Sequence, residues 1–134
     1  MTSRISATTI DCKDAFALAS WWKHVLDYTD DPADPEGGNA PGQEECMIVD
    51  PIGGPRLLFI EVPDVKQCKN RGHFDLAPTD RWRDAEVARV IALGAKQLAD
   101  HRNPDGTGWV TLADPEGNEF CILRSDEERA TPTG

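Results

Sequence analysis

Three polar residues at alternate positions, Arg71, His73 and Asp75, are the part of the chain best suited to chemistry. If residues 70–77 form a strand, their side chains share one face, because strand side chains alternate between faces. His73 could act as a general base near neutral pH or hydrogen-bond a ligand carbonyl. Asp75 could orient His73 or hold a cationic group, and Arg71 could bind a carboxylate. The alternatives are structural: a backbone contact for His73, a helix cap for Asp75 and a surface salt bridge for Arg71.

Trp109 is a second candidate, because it follows the turn-forming residues 103–108 and opens an apolar strand. An aromatic side chain at that position could stack on a flat ligand, although ordinary packing is the alternative. Trp22, in contrast, belongs to the apolar stripe of a predicted helix, and we expect it in the core.

The amino-acid composition limits which partners the chain can bind. Its 134 residues carry a formal net charge of −10, and the pI is about 4.6. Nucleic acids and anionic membranes attract Lys and Arg, so we expect neither as a partner and favour a small molecule that is neutral or cationic. No apolar stretch approaches the ~18 residues of a membrane span, and the first residues lack the apolar core of a signal peptide. We therefore expect a cytoplasmic protein.

An internal repeat organises the chain. Asp114 and Gly117 form a turn between two apolar runs, and a degraded copy of this pattern surrounds Asp50 and Gly53. Both the aspartates and the glycines are 64 positions apart. The spacing predicts two copies of one structural unit, with a cavity between them where a ligand would bind.

Hydrophobic periodicity predicts the same order in both halves: a strand, a helix, then two or three strands. In the first half, Asp14 can cap a helix that buries one apolar stripe, and a short edge strand is expected within the turn-rich residues 29–44. In the second half, Asp80 can cap a helix that ends at Gly94. The clearer predicted strands cover residues 5–12, 45–50, 56–62, 70–77, 95–99, 108–114 and 119–124.

These elements predict an α+β fold in which two βαβββ units form an open, cup-shaped barrel with the helices outside. Residues 1–134 would form a single domain. The first unit would span about residues 4–62 and the second about 70–124, followed by a frayed tail over 125–134. Alternate residues on each strand should line the cup.

Three segments carry a likeness to a known family: Asn-Arg-Gly-His-Phe-Asp at 70–75, the helix end at 94–95 and Asp-Pro-Glu-Gly-Asn-Glu-Phe at 114–120. Together they resemble the vicinal oxygen chelate superfamily, which includes glyoxalase I, fosfomycin-resistance enzymes, extradiol dioxygenases and bleomycin-resistance proteins. The likeness covers about residues 4–124 and is greatest to small glyoxalase-like domain proteins. It implies a glyoxalase-like fold for the whole chain, a small-molecule ligand and a homodimer.

Metal-dependent members of that superfamily hold an ion with four side chains, on the first and last strands of each unit. Carried onto this chain, those positions fall at Ala7, Ile60, His73 and Cys121. Alanine and isoleucine cannot coordinate an ion, so the resemblance implies a protein without a metal, and we expect no cofactor. A one-residue slip of the strand register would instead admit Glu61 and Glu119 as ligands.

The eroded ligand set favours a metal-free small-molecule-binding protein of the bleomycin-resistance type. The residues expected to bind the ligand are Thr9, Ile60, Arg71, His73, Asp75, Trp109 and Cys121. Cys121 could also fill space or act as a nucleophile activated by His73. The alternative function is a glyoxalase-like lyase or isomerase, either metal-dependent or with His73 as its catalytic base. A partner-binding or structural module is a third possibility.

Overall fold

Two units with the same order of elements make up the chain. The computed structural model describes residues Thr2 to Ala130. The first unit ends at Val65, and the second begins at Lys66. Within the described residues, each unit contains one mixed, four-stranded sheet.

The first unit follows the predicted order of a strand, a helix and three strands. Its elements are β1 (Thr8–Cys12), α1 (Ala15–Leu26), β2 (Thr29–Asp30), β3 (Glu45–Val49) and β4 (Leu57–Glu61). The strands lie in the order β1-β4-β3-β2, with β1 parallel to β4 and the other pairs antiparallel. β2 is the short edge strand expected in the turn-rich segment.

The second unit repeats this order and adds a short helix. Its elements are β5 (Phe74–Leu76), α2 (Arg83–Ala92), β6 (Lys96–Asp100), β7 (Val110–Ala113), β8 (Glu119–Ile122) and α3 (Asp126–Ala130). The strand order is β5-β8-β7-β6, with β5 parallel to β8. The predicted α+β class and the two βαβββ units are thus confirmed. Across residues 2–130, no helix combines the length and the hydropathy that a membrane span requires.

Helix α1 begins and packs as its sequence predicts. The Asp14 carboxylate accepts a hydrogen bond from the Ala17 N–H at 3.0 Å and so satisfies one free donor of the first turn. The predicted apolar stripe packs on β3 and β4, and its buried members are Ala15, Leu18, Ala19, Trp22 and Val25. Trp22 is 1% exposed, which confirms its place in the core.

Helix α2 does not begin as predicted. Its N-cap residue is Trp82, which makes no side-chain capping bond in the described structure, and Asp80 lies further upstream. The Asp80 carboxylate instead pairs with its neighbour, Arg81, at 2.9 Å. The assignment of Asp80 as a cap was therefore wrong. A short-range ion pair occupies the carboxylate that the pattern assigned to the helix end.

The missing cap of α2 is supplied by the segment that we expected to fray. Ser125 and Glu128 form a capping box at the start of α3, in which the Glu128 N–H donates to Ser125 Oγ at 3.1 Å and the Ser125 N–H donates to Glu128 Oε1 at 2.9 Å. Glu128 Oε1 also accepts the backbone N–H of Arg83 at 2.5 Å. One carboxylate thus serves the first turns of two helices. The rest of the predicted tail, residues 131–134, lies outside the described residues.

We expect Glu128→Ala to lower the free energy of unfolding by about 1–2 kcal/mol, because two backbone donors lose a charged acceptor. Glu127→Ala is the matched control, since Glu127 is exposed on the same short helix. Urea denaturation followed by circular dichroism measures both variants. Equal losses of unfolding free energy in the two variants would show that the capping hydrogen bonds of Glu128 do not stabilise the protein.

Candidate functional site

The second sheet has one face that packs under α2 and one face that is open. On β8, Phe120 and Ile122 are fully buried, and α2 packs against this strand. Side chains alternate along a strand, so Cys121 lies on the opposite face. In the strand register, Cys121 is the partner of Asp75 on β5 and of Thr111 on β7. These three side chains therefore form a row across the open face.

A pocket of about 350 Å³ lies on this face of the second unit. Its lining residues are Lys69, His73, Asp75, Trp109, Thr111, Glu119, Cys121 and Leu123. Four of the residues proposed from the sequence, His73, Asp75, Trp109 and Cys121, are thus brought together. Sequence reasoning missed Thr111, Leu123 and Lys69. Counting two residues along the strand from Cys121 would have found Leu123, and the same count from Trp109 would have found Thr111.

His73 and Asp75 form the polar part of this pocket. Nδ1 of His73 lies 3.3 Å from Oδ1 of Asp75, and the two side chains are 36% and 53% exposed. The pair becomes an ion pair whenever the imidazole is protonated. This contact is the arrangement that the first interpretation, in which Asp75 orients His73, requires. The alternative, that Asp75 caps the next helix, is wrong, because that helix starts at Arg83 after an N-cap at Trp82.

Cys121 is a buried residue of the pocket lining. Its side chain is buried at 7% exposure, and Sγ lies 3.4 Å from Thr111 Oγ1. Among the described residues, donor atoms of Cys121, His73 and Asp75 all lie within 4.8 Å of one another. Sequence reasoning counted only two possible metal ligands here, because it considered Asp75 for other roles.

The separations of these three ligand atoms can be compared with those around a divalent metal ion, which metal-dependent members of the superfamily bind. Zinc-type ions accept nitrogen, oxygen and sulfur ligands at about 2.0–2.3 Å, which places tetrahedral ligands roughly 3.5 Å apart. Donors separated by up to 4.8 Å would therefore have to approach by roughly 1 Å. The residues fit such an ion in chemical kind and supply three ligands. Ala7 and Ile60, the corresponding positions of the first unit, carry no donor atom.

Glu119 anchors the loop that leads into the site. Its carboxylate accepts the Lys66 ammonium at 2.7 Å and the Asn70 N–H at 3.1 Å, and its side chain is 11% exposed. Partial burial would raise the pKa of Glu119, but the hydrogen bonds from Lys66 and Asn70 outweigh it, so the pKa lies below the ordinary value. Glu119 is thus a charged, paired residue at neutral pH, and it belongs to the pocket wall.

Trp109 forms the aromatic wall of the pocket. It is 42% exposed, and its ring stacks on that of His101 with centroids 4.8 Å apart and planes inclined by 30°. It stands directly before β7, at the end of the loop 103–108. The indole is thus held against the His101 ring, and it contributes to the lining of the pocket.

The other predicted residues are not among those that line this pocket. Arg71 is exposed and precedes β5, because this strand begins at Phe74 rather than at residue 70, and Arg71 does not line the pocket of the second unit. Thr9 and Ile60 belong to the first unit, where Thr9 is exposed and Ile60 is half-buried. A second, more open pocket of about 430 Å³ in that unit is lined by Lys13, Glu44, Glu61, Val62 and Pro63, a set that includes neither of them.

A family model for the glyoxalase-like domain matches residues 7–123, which is most of the chain. The chain belongs to this family. It is thereby a member of the vicinal oxygen chelate superfamily, as the resemblance implied. No curated protein matches the sequence.

Solved structures of glyoxalase-like proteins share the fold at low identity. A fosfomycin resistance protein from Listeria monocytogenes, in complex with Mn(II) and 1S,2S-dihydroxypropylphosphonic acid, is 18% identical, with 96% of this chain and 95% of that chain covered and a TM-score of 0.65. Lactoylglutathione lyase from Agrobacterium tumefaciens is 20% identical over 97% of this chain and 98% of that chain, with a TM-score of 0.59. A glyoxalase/bleomycin resistance protein/dioxygenase family enzyme from Burkholderia phytofirmans is 18% identical over 90% and 97%, with a TM-score of 0.60. These similarities show the fold of this glyoxalase-like chain.

Proposed function

We propose that this glyoxalase-like chain binds a small, flat organic molecule, neutral or cationic, in the pocket of the second unit without a metal. The observation that carries the proposal is the pocket itself, whose lining combines an indole with His73, Asp75 and Cys121. Its volume of about 350 Å³ lies within the range of small-molecule sites. That the protein is a homodimer and lies in the cytoplasm stays a prediction.

The charges around the pocket support a neutral or cationic ligand. Lys66 already neutralises Glu119, and the Lys69 ammonium bonds to the Asn70 carbonyl at 3.3 Å. The Asp75 carboxylate, in contrast, is half-exposed and faces only a histidine among its ion-pair contacts in the described residues. The net charge of −10 adds a long-range repulsion of anions. A ligand ring would stack on Trp109 while an amine or hydroxyl group met Asp75 and His73.

Ligand binding is tested with a panel of flat probes of different charge: proflavine as a cation, coumarin as a neutral molecule and 2-naphthalenesulfonate as an anion. The proposal expects thermal stabilisation by members of the first two classes and none by the third. The absence of any stabilisation across an enlarged panel of neutral and cationic aromatics would refute it.

Trp109→Ala is expected to weaken binding of a stabilising probe about tenfold, because the stacking surface is removed. Trp82→Ala is the matched control, since Trp82 is also half-exposed but does not line the pocket. Isothermal titration calorimetry on both variants measures the difference. Equal affinity in wild type and Trp109→Ala would place the ligand elsewhere.

A metal-dependent enzyme is the second candidate function, and the three converging donors are the observation that favours it. His73, Asp75 and Cys121 would hold the ion, which would supply Lewis-acid polarisation of a ligand oxygen. The fosfomycin resistance protein from Listeria monocytogenes with the same fold contains Mn(II). In that case His73 and Asp75 would be ligands rather than direct contacts for the organic molecule.

Metal analysis separates the two functions. The metal-free proposal expects no stoichiometric divalent ion in protein purified without chelators, and probe binding that is unchanged by EDTA. One equivalent of zinc, lost in both His73→Ala and Cys121→Ser, would refute the metal-free proposal and favour the second candidate. Both variants should keep the wild-type circular dichroism spectrum, because neither side chain belongs to the face under α2.

A further inference from the structure

A buried arginine holds the loop that leads to Trp109, the aromatic residue of the pocket lining. Arg83 is the first residue of α2, and it is only 5% exposed. Its Nη1 atom donates to three consecutive backbone carbonyls, those of Gly106 at 3.0 Å, Thr107 at 3.1 Å and Gly108 at 3.1 Å. The guanidinium thus holds the last three residues of the loop before Trp109 by hydrogen bonds to their carbonyls.

The position of Arg83 is unfavourable for the helix itself. A positive charge in the first turn opposes the helix dipole, and a buried charge requires partners that replace water. Those partners are the three carbonyls and the Asp84 carboxylate, which accepts Nε of Arg83 at 3.0 Å. The contacts of Arg83 therefore point to the loop as the reason for an arginine here.

The same network holds both ends of the loop. Asp84 also accepts Nη1 of Arg102 at 3.2 Å, and Arg102 in turn pairs with Asp100 at 2.8 Å. At the other end, the His101 N–H donates to the Trp109 carbonyl at 2.9 Å, and the two rings stack. Trp109 follows Gly108 directly, so a shift of the clamped carbonyls would move the indole.

We propose that Arg83 is a positioning residue that fixes Trp109 in the pocket wall and so sets which flat ligands fit against it. The inference rests on the proposed function for its consequence in binding. The placement of Trp109 itself does not depend on a ligand. Arg83 touches neither the pocket nor the ligand and acts only through the loop.

The placement is measured first in the ligand-free protein. Labelling with 5-fluorotryptophan gives fluorine resonances for Trp21, Trp22, Trp82 and Trp109, and Trp109→Phe assigns the last of them. Arg83→Met should shift or broaden the Trp109 resonance and leave those of Trp21 and Trp22, in the first unit, unchanged. Arg89→Met is the matched control, because Arg89 also forms an ion pair on α2, with Glu86 at 2.6 Å, and should leave Trp109 unchanged.

The second measurement asks whether Arg83 acts through Trp109. Arg83→Met should weaken binding of a stabilising probe such as proflavine about fivefold in the wild-type background and have no effect in Trp109→Ala. Additive losses in the two variants would overturn the proposal, as would an unmoved Trp109 resonance in a folded Arg83→Met protein. If that variant does not fold, Arg83→Gln keeps a polar side chain that is too short to reach the three carbonyls, and it should still displace the Trp109 resonance. An unmoved resonance in folded Arg83→Gln would likewise overturn the proposal. If the wild-type protein binds no probe, the proposed function fails, while the resonances still decide the role of Arg83.

Discussion

Asp114→Ala should lower the free energy of unfolding by about 3 kcal/mol. The Asp114 carboxylate is 4% exposed, and Oδ1 accepts the backbone N–H groups of Glu116 at 2.9 Å and Asn118 at 3.0 Å. Its two oxygens also accept Nδ2 of Asn118 at 3.2 and 3.0 Å. Alanine would leave these donors without their charged acceptor in a site that water cannot easily enter.

The loss should extend from the turn to the pocket. Oδ1 of Asn118 accepts Nδ2 of Asn70 at 2.8 Å, and the Asn70 N–H is one of the donors to Glu119. Releasing Asn118 therefore loosens the loop that carries Lys69 and leads to His73. We expect the variant to bind a flat probe more weakly even where it remains folded.

The repeat supplies the control for this prediction. Asp50 occupies the corresponding place in the first unit, but it is half-buried and accepts the Ile52 N–H at 3.0 Å in a simpler turn. Asp50→Ala should cost only about 1 kcal/mol. Asp114→Asn, which keeps an acceptor oxygen, should fall between the two. Urea denaturation measures all three variants, and equal losses at Asp50 and Asp114 would contradict the argument.

Local patterns in the sequence predicted most of the fold. The spacing of Asp and Gly located both turns, and in each the glycine N–H bonds back to the aspartate carbonyl, Gly53 to Asp50 at 3.0 Å and Gly117 to Asp114 at 2.9 Å. The apolar periodicity of α1 and its cap at Asp14 were also confirmed. Each of these features depends on residues within a few positions of one another.

Features that depend on distant residues were missed. The acceptor for the first turn of α2 comes from Glu128, which is 45 positions from Arg83, so no local pattern could replace the wrong choice of Asp80. The predicted strand from residue 70 is shorter because Asn70 bonds to Asn118 and Glu119 instead of continuing the sheet. This removes Arg71 from the face of Asp75.

The sequence grouped part of the pocket lining but not its chemistry. Alternation along the strands put His73 and Cys121 at cavity-facing positions, and both line one pocket in the structure. The parallel pairing of β5 and β8, which places Asp75 beside Cys121, is a tertiary property. The number of possible metal ligands therefore followed from the structure and not from the motif.

Gly108→Ala should destabilise the second unit by about 2–4 kcal/mol and displace Trp109. Gly108 has φ +98°, a conformation that residues with a Cβ rarely adopt. A Cβ there would also lie 2.0 Å from the His101 carbonyl oxygen and 3.0 Å from the Arg102 Cα. Both obstacles are backbone, so the strand stems at His101 and Trp109 must separate, and the hydrogen bond between them must lengthen or break.

Gly106→Ala isolates the steric part of this effect. Gly106 has φ +91°, and its carbonyl also bonds to Arg83, but a Cβ there would meet nothing within 4 Å. The two substitutions share the conformational strain and the contact with Arg83, so their difference reports the collision with His101. We expect Gly106→Ala to cost about 1 kcal/mol and to leave probe affinity close to that of the wild type, whereas Gly108→Ala should weaken it as strongly as Trp109→Ala. Stability is measured by urea denaturation and affinity by calorimetry. If both quantities are equal in the two alanine variants, the backbone at His101 and Trp109 accommodates the added Cβ without moving the indole, which would contradict the prediction.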